Sequence, residues 1–378
     1  MKNQLSERGV LTLFTTGHIV DDLYMNALPP LLPVLIASSG LSYASAGLLV
    51  TFFTLTSSVS QPFLGYAIDR YRARWIGALG LVWAGFFFGL MGMVKGYTLM
   101  LVMATFAGIG PAMFHPHALS AISALGGARG RVMSIFIIGG NIGFALSPLL
   151  IGWLTSFMGQ RGMIFVAFPG MLMGAMMWVL SSRMRPGEPR EFQPVRLSDI
   201  RPAILLIIVA VLRSWVYFSV LSYMPSFFVE HGSSILRSNS LLSLMLLFGV
   251  AGQFAGGTLS DRFGRRAVTM GSLLLAAPLL LAFLHAPSSA AVVLLFLFGF
   301  AVMASFSVTM VMMHEIMSRH IGMASGIMIG FALGIGGMGV MITGIIADAF
   351  NIGTALHFLV VILVLAGILT RFVPVAES

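Results

Sequence analysis

Apolar residues run in long stretches along this chain, separated by short knots of Gly, Pro and charge. Twelve stretches predict helices: 9–36, 42–68, 75–94, 97–122, 130–157, 162–182, 202–229, 239–260, 267–285, 289–316, 322–349 and 352–373. About 20 apolar residues carry a helix across a bilayer, and most of these stretches meet that length. The polar breaks are short except for one. Residues 183–201 hold Pro186, Pro189 and Pro194 together with most of the loop charge, and they read as a linker. The pattern therefore predicts an all-α membrane protein of twelve transmembrane helices in two pseudo-symmetric six-helix bundles, 1–182 and 202–378.

The two bundles repeat one another. Gly65, Asp69, Arg70 and Arg74 recur 192 positions later as Gly257, Asp261, Arg262 and Arg266. Gln61 and Pro33 recur at the same offset as Gln253 and Pro225. A unit this long exceeds any solenoid repeat. It matches the parallel halves from which many secondary transporters are built.

Composition excludes a soluble protein. Hydrophobic residues make up 58% and charged residues 9%, against about 25% charged in soluble domains, and mean hydropathy is +0.98. With no cysteine there is no disulfide framework and no Cys-based metal site. Residues 1–8 are polar and run straight into the first apolar stretch without a small-residue cleavage site, so a first transmembrane helix is expected rather than a signal peptide.

Lys and Arg predict the orientation. Seventeen of the 21 fall on one side of the predicted helices; Lys95, Arg161 and Arg237 fall on the other, and Arg213 lies inside a helix. Cytoplasmic loops carry the excess of basic residues, so both termini and the linker are expected in the cytoplasm. The pI near 10.6 then follows from topology, and no nucleic-acid partner is needed. The repeated loops fall on the cytoplasmic face. Asp69, Arg70, Asp261, Arg262 and Arg266 are candidates for a gate there, since an Asp can accept free N–H groups of the following helix and arginines can bridge helix ends. Topology alone accounts for the arginines but not for the matched Asp69 and Asp261.

Ionisable groups at membrane depth are costly and mark function. Asp21, Asp22, His115 and Glu315 are candidates for proton handling. Arg213, with His18, His314, Asn141 and Tyr217, is a candidate set for an anionic substrate, because a guanidinium stays charged and offers a fork that suits a carboxylate or phosphonate. His18 stands three and four residues before Asp21 and Asp22, so a contact within one helix is expected. The 192-residue offset sets Arg213 opposite Asp21. Other roles stay open: a structural salt bridge from Arg213 to Asp21 or Glu315, and helix–helix hydrogen bonding for His115 and His314. His117 and His357 have no counterpart in the other half and read as structural. Gly322, Gly326, Gly330 and Gly334, and Gly139, Gly140 and Gly143, read as packing seams.

No enzyme, cofactor or metal is expected. After His314 and Glu315 the next histidine is His320, six residues on and off the helix face that a zinc pair needs. A channel is disfavoured because pores are usually rings of identical elements.

The paired Gly-Asp-Arg loops resemble those of the major facilitator superfamily. His18, Asp21 and Asp22, then Phe114, His115 and Pro116, then Gly139, Gly140, Asn141, Gly143, Ser147, Pro148 and Leu149, and Gly322 to Gly339 resemble the fosmidomycin resistance protein family over nearly the whole chain. His117 stands where that family usually has Glu, Asp21 where it often has Asn, and Arg72 where the superfamily usually has Gly. The resemblance implies a twelve-helix protein of the bacterial inner membrane that exports an anionic phosphonate antibiotic in exchange for protons; the reading that follows is a proton-coupled, alternating-access transporter, expected to be a monomer. An importer of an organic acid by proton symport is the alternative, and a membrane enzyme or channel the rival class.

Overall fold

In hydrocarbon a backbone must satisfy its own N–H and C=O groups, which leaves a helix as the economical form for an apolar run. The computed structural model describes residues 5–71, 73, 75–125, 129–181 and 200–374, the side chains of Asp69, Arg129, Ser288, Arg319 and Ile321 excepted. Among these residues there is no strand. The helices are α1 (Glu7–Met25), α2 (Leu28–Ser39), α3 (Tyr43–Tyr71), α4 (Ile76–Met91), α5 (Tyr97–Ala107), α6 (Ile109–Ser123), α7 (Arg129–Met158) and α8 (Met163–Ser181). They continue as α9 (Ile204–Glu230), α10 (Ile235–Phe263), α11 (Arg265–His285), α12 (Ser288–Ile316), α13 (Ile321–Ser325), α14 (Leu333–Ala349) and α15 (Ile352–Thr370). The predicted linker falls outside the described residues except for Ile200 and Arg201.

Among the described residues, ten stretches are long and apolar enough to span a membrane. One of them, Arg131–Ser181, contains both most of α7 and α8, and α4 is a shorter apolar helix of 16 residues. Each predicted stretch thus has a helical counterpart, but three are interrupted. The first breaks between α1 and α2, where Pro29 and Pro30 have no N–H to donate to the carbonyls of Met25 and Asn26. The fourth breaks at Gly108, since Pro111 cannot donate to Ala107. The eleventh passes through a π-helical segment, Gly326–Ala332, between α13 and α14.

The chain forms two compact units. The first comprises Met1–Leu41, Phe52–Glu191 and Ser233–Ser240. Its core includes Phe14, Leu81, Phe114, Phe136, Met173 and Met177. The Tyr24 hydroxyl donates to the Val166 carbonyl (2.8 Å) and accepts from the Gly170 N–H (2.7 Å), which fixes α1 on α8. Ser147 donates to Leu23 O (2.7 Å) and Asn26 Nδ2 to Phe144 O (3.0 Å), which hold the α1 break against α7. Asn239 Nδ2 donates to Pro30 O (3.1 Å).

The second unit comprises Ser42–Thr51, Phe192–Gly232 and Leu241–Ser378. Close helix approach dominates its packing. A Cβ on Gly256 would lie 2.0 Å from the Ala304 carbonyl oxygen, and one on Gly339 would lie 2.1 Å from the Trp215 ring. The first two N–H groups of α3, on Tyr43 and Ala44, donate to the Asp348 carboxylate at 2.7 and 2.8 Å. Many large apolar side chains face outward, among them Phe63, Phe157, Phe168 and Val361, as a lipid-facing surface requires.

Candidate functional site

In the first unit α1 crosses α7 at three glycines. A Cβ on Gly143 would sit 2.0 Å from the Ile19 carbonyl oxygen, and one on Gly140 would sit 2.4 Å from both Asp22 Oδ2 and His18 Cε1. The missing side chains let the polar face of α1 lie directly against α7. His18 stacks on Phe136 with ring centroids 4.1 Å apart, and its Nδ1 donates to the Phe136 carbonyl at 2.8 Å. Its Nε2 lies 3.4 Å from Asp22 Oδ2, the four-residue contact expected within one helix.

His115 on α6 reaches the same carboxylate. Its Nε2 lies 3.3 Å from Asp22 Oδ1. Its Nδ1 donates to the Pro111 carbonyl at 3.1 Å and stands 3.2 Å from Asp21 Oδ2. The Asp21 contact is off the N–H direction, so Asp21 acts on His115 by charge rather than by a directed hydrogen bond. Asp21 is fully buried. His18, Asp21, Asp22 and His115 therefore form one set of two imidazoles and two carboxylates, a group able to hold and pass a positive charge. His117 is turned away, edge-on to Phe14 at 5.4 Å and seated over Gly77. Asn141 is half-buried on α7 beside Gly140.

In the second unit Arg213 on α9 is buried. Its guanidinium carbon lies 4.6 Å from the centroid of the Phe306 ring, and its Nη2 donates to Ser214 Oγ at 3.4 Å. Its Nε is buried without a hydrogen-bond partner among the described residues. Within the second unit it forms no ion pair among the described residues. Tyr217 is one turn further along α9, half-buried. His314 Nε2 is hydrogen-bonded to Ser325 Oγ at 2.8 Å.

Glu315 is engaged elsewhere than the sequence suggested. Arg265 donates from Nε to Glu315 Oε1 at 2.5 Å and from Nη1 to Asp261 Oδ1 at 3.1 Å. Glu315 thus belongs with the second repeated loop, not with a buried polar cluster of its own. Asp261 lies in the last turn of α10, and its carboxylate takes the Arg265 side chain instead of serving as the N-cap of α11, a place held by Gly264. Gly264 has φ +86°, a conformation that favours glycine, which lets α10 turn directly into α11. Arg266 donates from Nε and Nη2 to the Val373 carbonyl at 3.1 and 2.6 Å, and Arg262 is exposed. In the first loop Arg70 is exposed, the side chain of Asp69 lies outside the described residues, and so do Arg72 and Arg74.

Sequence reasoning missed Arg265, Phe136 and Phe306. Arg265 was detectable, four residues after Asp261 across a glycine. A backbone carbonyl on Phe136 and a ring face on Phe306 leave no one-dimensional signal.

The family model for the Major Facilitator Superfamily matches residues 14–257 and 230–378. The chain is 29% identical over 377 residues to the fosmidomycin resistance protein of Escherichia coli (strain K12), covering 97% of this chain and 93% of that protein. It is 30% identical to the MFS-type transporter YfnC of Bacillus subtilis (strain 168), covering 97% and 92%. In fold it is similar to the crystal structure of a bacterial homologue of the human lysosomal transporter Spinster, inward-facing and occupied, with TM-score 0.83, 19% identity and 96% coverage of each chain. The nucleoside transporter NupG is also similar in fold, with TM-score 0.76, 15% identity and coverage of 96% and 98%. With a helical counterpart for each predicted stretch, a repeated Gly-Asp-Arg loop and a family match over nearly its whole length, the chain belongs to the major facilitator superfamily and is a multi-pass membrane transporter, not an enzyme.

Proposed function

We propose that this protein is a proton-coupled antiporter that exports small anionic compounds of the phosphonate-antibiotic kind by alternating access. The observation that carries this reading is Arg213. A buried guanidinium is expensive unless a counter-charge or hydrogen-bond acceptors compensate it. Within its unit Arg213 has one long hydrogen bond, a ring face and an unpartnered Nε. An oxyanion presented to that fork makes the charge-assisted contacts the protein leaves unmade. The set of His18, Asp21, Asp22 and His115 supplies the proton side of the exchange. The likeness to the fosmidomycin resistance protein supports the substrate class.

The predicted bundles 1–182 and 202–378 are the bodies that rock. The repeated loops, with Asp261, Arg265 and Glu315 as the described example, gate the cytoplasmic side. The protein works as a monomer in a bacterial cytoplasmic membrane with both termini inside.

The test is proton release from purified protein in weak buffer on adding fosmidomycin or a panel of small organic anions, with Asp22→Asn and Arg213→Ala alongside. Ligand-dependent release that disappears in Asp22→Asn supports antiport. Binding with proton uptake, or with no proton change, overturns it in favour of symport or uniport, the organic-acid importer included.

A further inference from the structure

We propose that His18, His115 and Asp22 form a binding site for a divalent cation of the zinc class. These side chains belong to the set read above as the proton group, so a bound cation would take the proton's place there, and metal binding and proton loading would compete. The expectation of no metal came from ligand spacing within a single helix. The donor set here is brought together by two helices, α1 and α6.

The geometry is that of a prepared site. Both imidazoles have Nδ1 directed at a backbone carbonyl, His18 at Phe136 (2.8 Å) and His115 at Pro111 (3.1 Å). A carbonyl only accepts, so each Nδ1 carries the hydrogen, and in the neutral ring each Nε2 carries a lone pair. Those two Nε2 atoms face the two oxygens of one carboxylate, at 3.4 and 3.3 Å. Ligand atoms about 2.0 Å from a tetrahedral zinc are about 3.3 Å apart along each edge. All three donor groups lie within 4.8 Å of one another. The two Nε2 atoms and the Asp22 carboxylate therefore lie close enough for one cation to bind all three in place of a shared proton.

The surroundings match as well. A ligating histidine characteristically gives its other N–H to a carbonyl or carboxylate, which sets the tautomer and the ring direction. Here both histidines do so, and the buried Asp21 carboxylate stands 3.2 Å from His115 Nδ1 as an outer-shell charge. Two imidazoles and one carboxylate favour zinc, cobalt or nickel over magnesium or calcium, which prefer all-oxygen shells. Gly140 supplies room: a Cβ there would fall 2.6 Å from His18 Nε2.

The experiment is titration of the full-length protein, purified without a polyhistidine tag, with Co²⁺ and then Zn²⁺. One equivalent is expected to bind, with the visible absorption bands of a low-coordinate cobalt site that zinc bleaches. Asp22→Asn and His18→Gln each remove the bands. Asp21→Asn keeps the ligands but weakens binding by about 10- to 100-fold, as loss of an outer-shell partner does. The double variant His285→Ala and His357→Ala, which removes the other close histidine pair (rings 5.0 Å apart), leaves binding unchanged. Absence of binding, or binding that survives Asp22→Asn and His18→Gln, overturns the proposal. Should those variants fail to fold, X-ray absorption at the zinc edge of the wild-type protein decides. Two imidazoles in the first shell support the site, and one or none overturns it.

Discussion

Arg213 shows how a single side chain constrains what a membrane protein can carry. Its neighbours are a ring face and a serine, and the next polar group on its helix face is Tyr217. On the proposed reading, Arg213→Ala removes a charge-assisted contact worth about 1.5–3 kcal/mol, so anion affinity falls by roughly 10- to 100-fold. Arg213→Lys recovers only part of it, because an ammonium lacks the planar fork. Isothermal titration with fosmidomycin measures both, and an unchanged affinity in Arg213→Ala removes the residue from the binding site. At this scale much was legible beforehand. An ionisable residue in an apolar run is conspicuous, and the contact of His18 with Asp22 follows from helical spacing. What stayed hidden was pairing between distant segments. Neither the approach of His115 to Asp22 nor the engagement of Glu315 by Arg265 has a sequence period, because each depends on how two helices cross.

At the scale of the helix, glycine does two different things here. Gly143 is where α7 meets the α1 backbone, with Ile19 O in the way of any Cβ. Gly143→Ala is expected to destabilise by about 1–3 kcal/mol through overpacking, read as a lower melting temperature in detergent. Gly326 meets nothing within 4 Å of a built Cβ. Gly326→Ala is expected to leave the melting temperature unchanged or slightly raised, since Ala restricts the unfolded chain more than Gly. Equal losses in the two variants contradict this division. The repeat of glycine every four residues from 322 to 334 announced small residues but not which ones bear contact. Gly336 and Gly339, outside that repeat, are the ones whose added Cβ would strike Ser214 and Trp215. The breaks at Pro29 and Pro111 were visible as prolines. Their effect depends on the length of helix on either side, so uninterrupted runs were the simpler reading.

The molecule as a whole repeats itself, and that was plain from the 192-residue offset. Less plain was that each compact unit includes the opening of a helix from the other half of the sequence, Ser42–Thr51 in one and Ser233–Ser240 in the other. Such exchange leaves no mark in hydropathy, which reports only that a helix is apolar. Orientation is testable at this scale because the chain has no cysteine of its own. Single cysteines placed at Arg70 or Arg262 are expected to react with a membrane-impermeant thiol reagent only in inverted vesicles. Single cysteines at Arg161 or Arg237 should react in intact cells. The opposite labelling pattern would reverse the topology. The segment Gly326–Ala332 has a further consequence. A π turn holds more residues than an α turn, so it is a fold in the fabric of the helix, slack that straight α-helix does not have. Handing one residue of that slack along the chain would turn the residues it passes by about 100° and would carry Gly336 and Gly339 off the α9 residues Ser214 and Trp215. A turn of the helix here would need no bend, only the passing of a crease along the backbone.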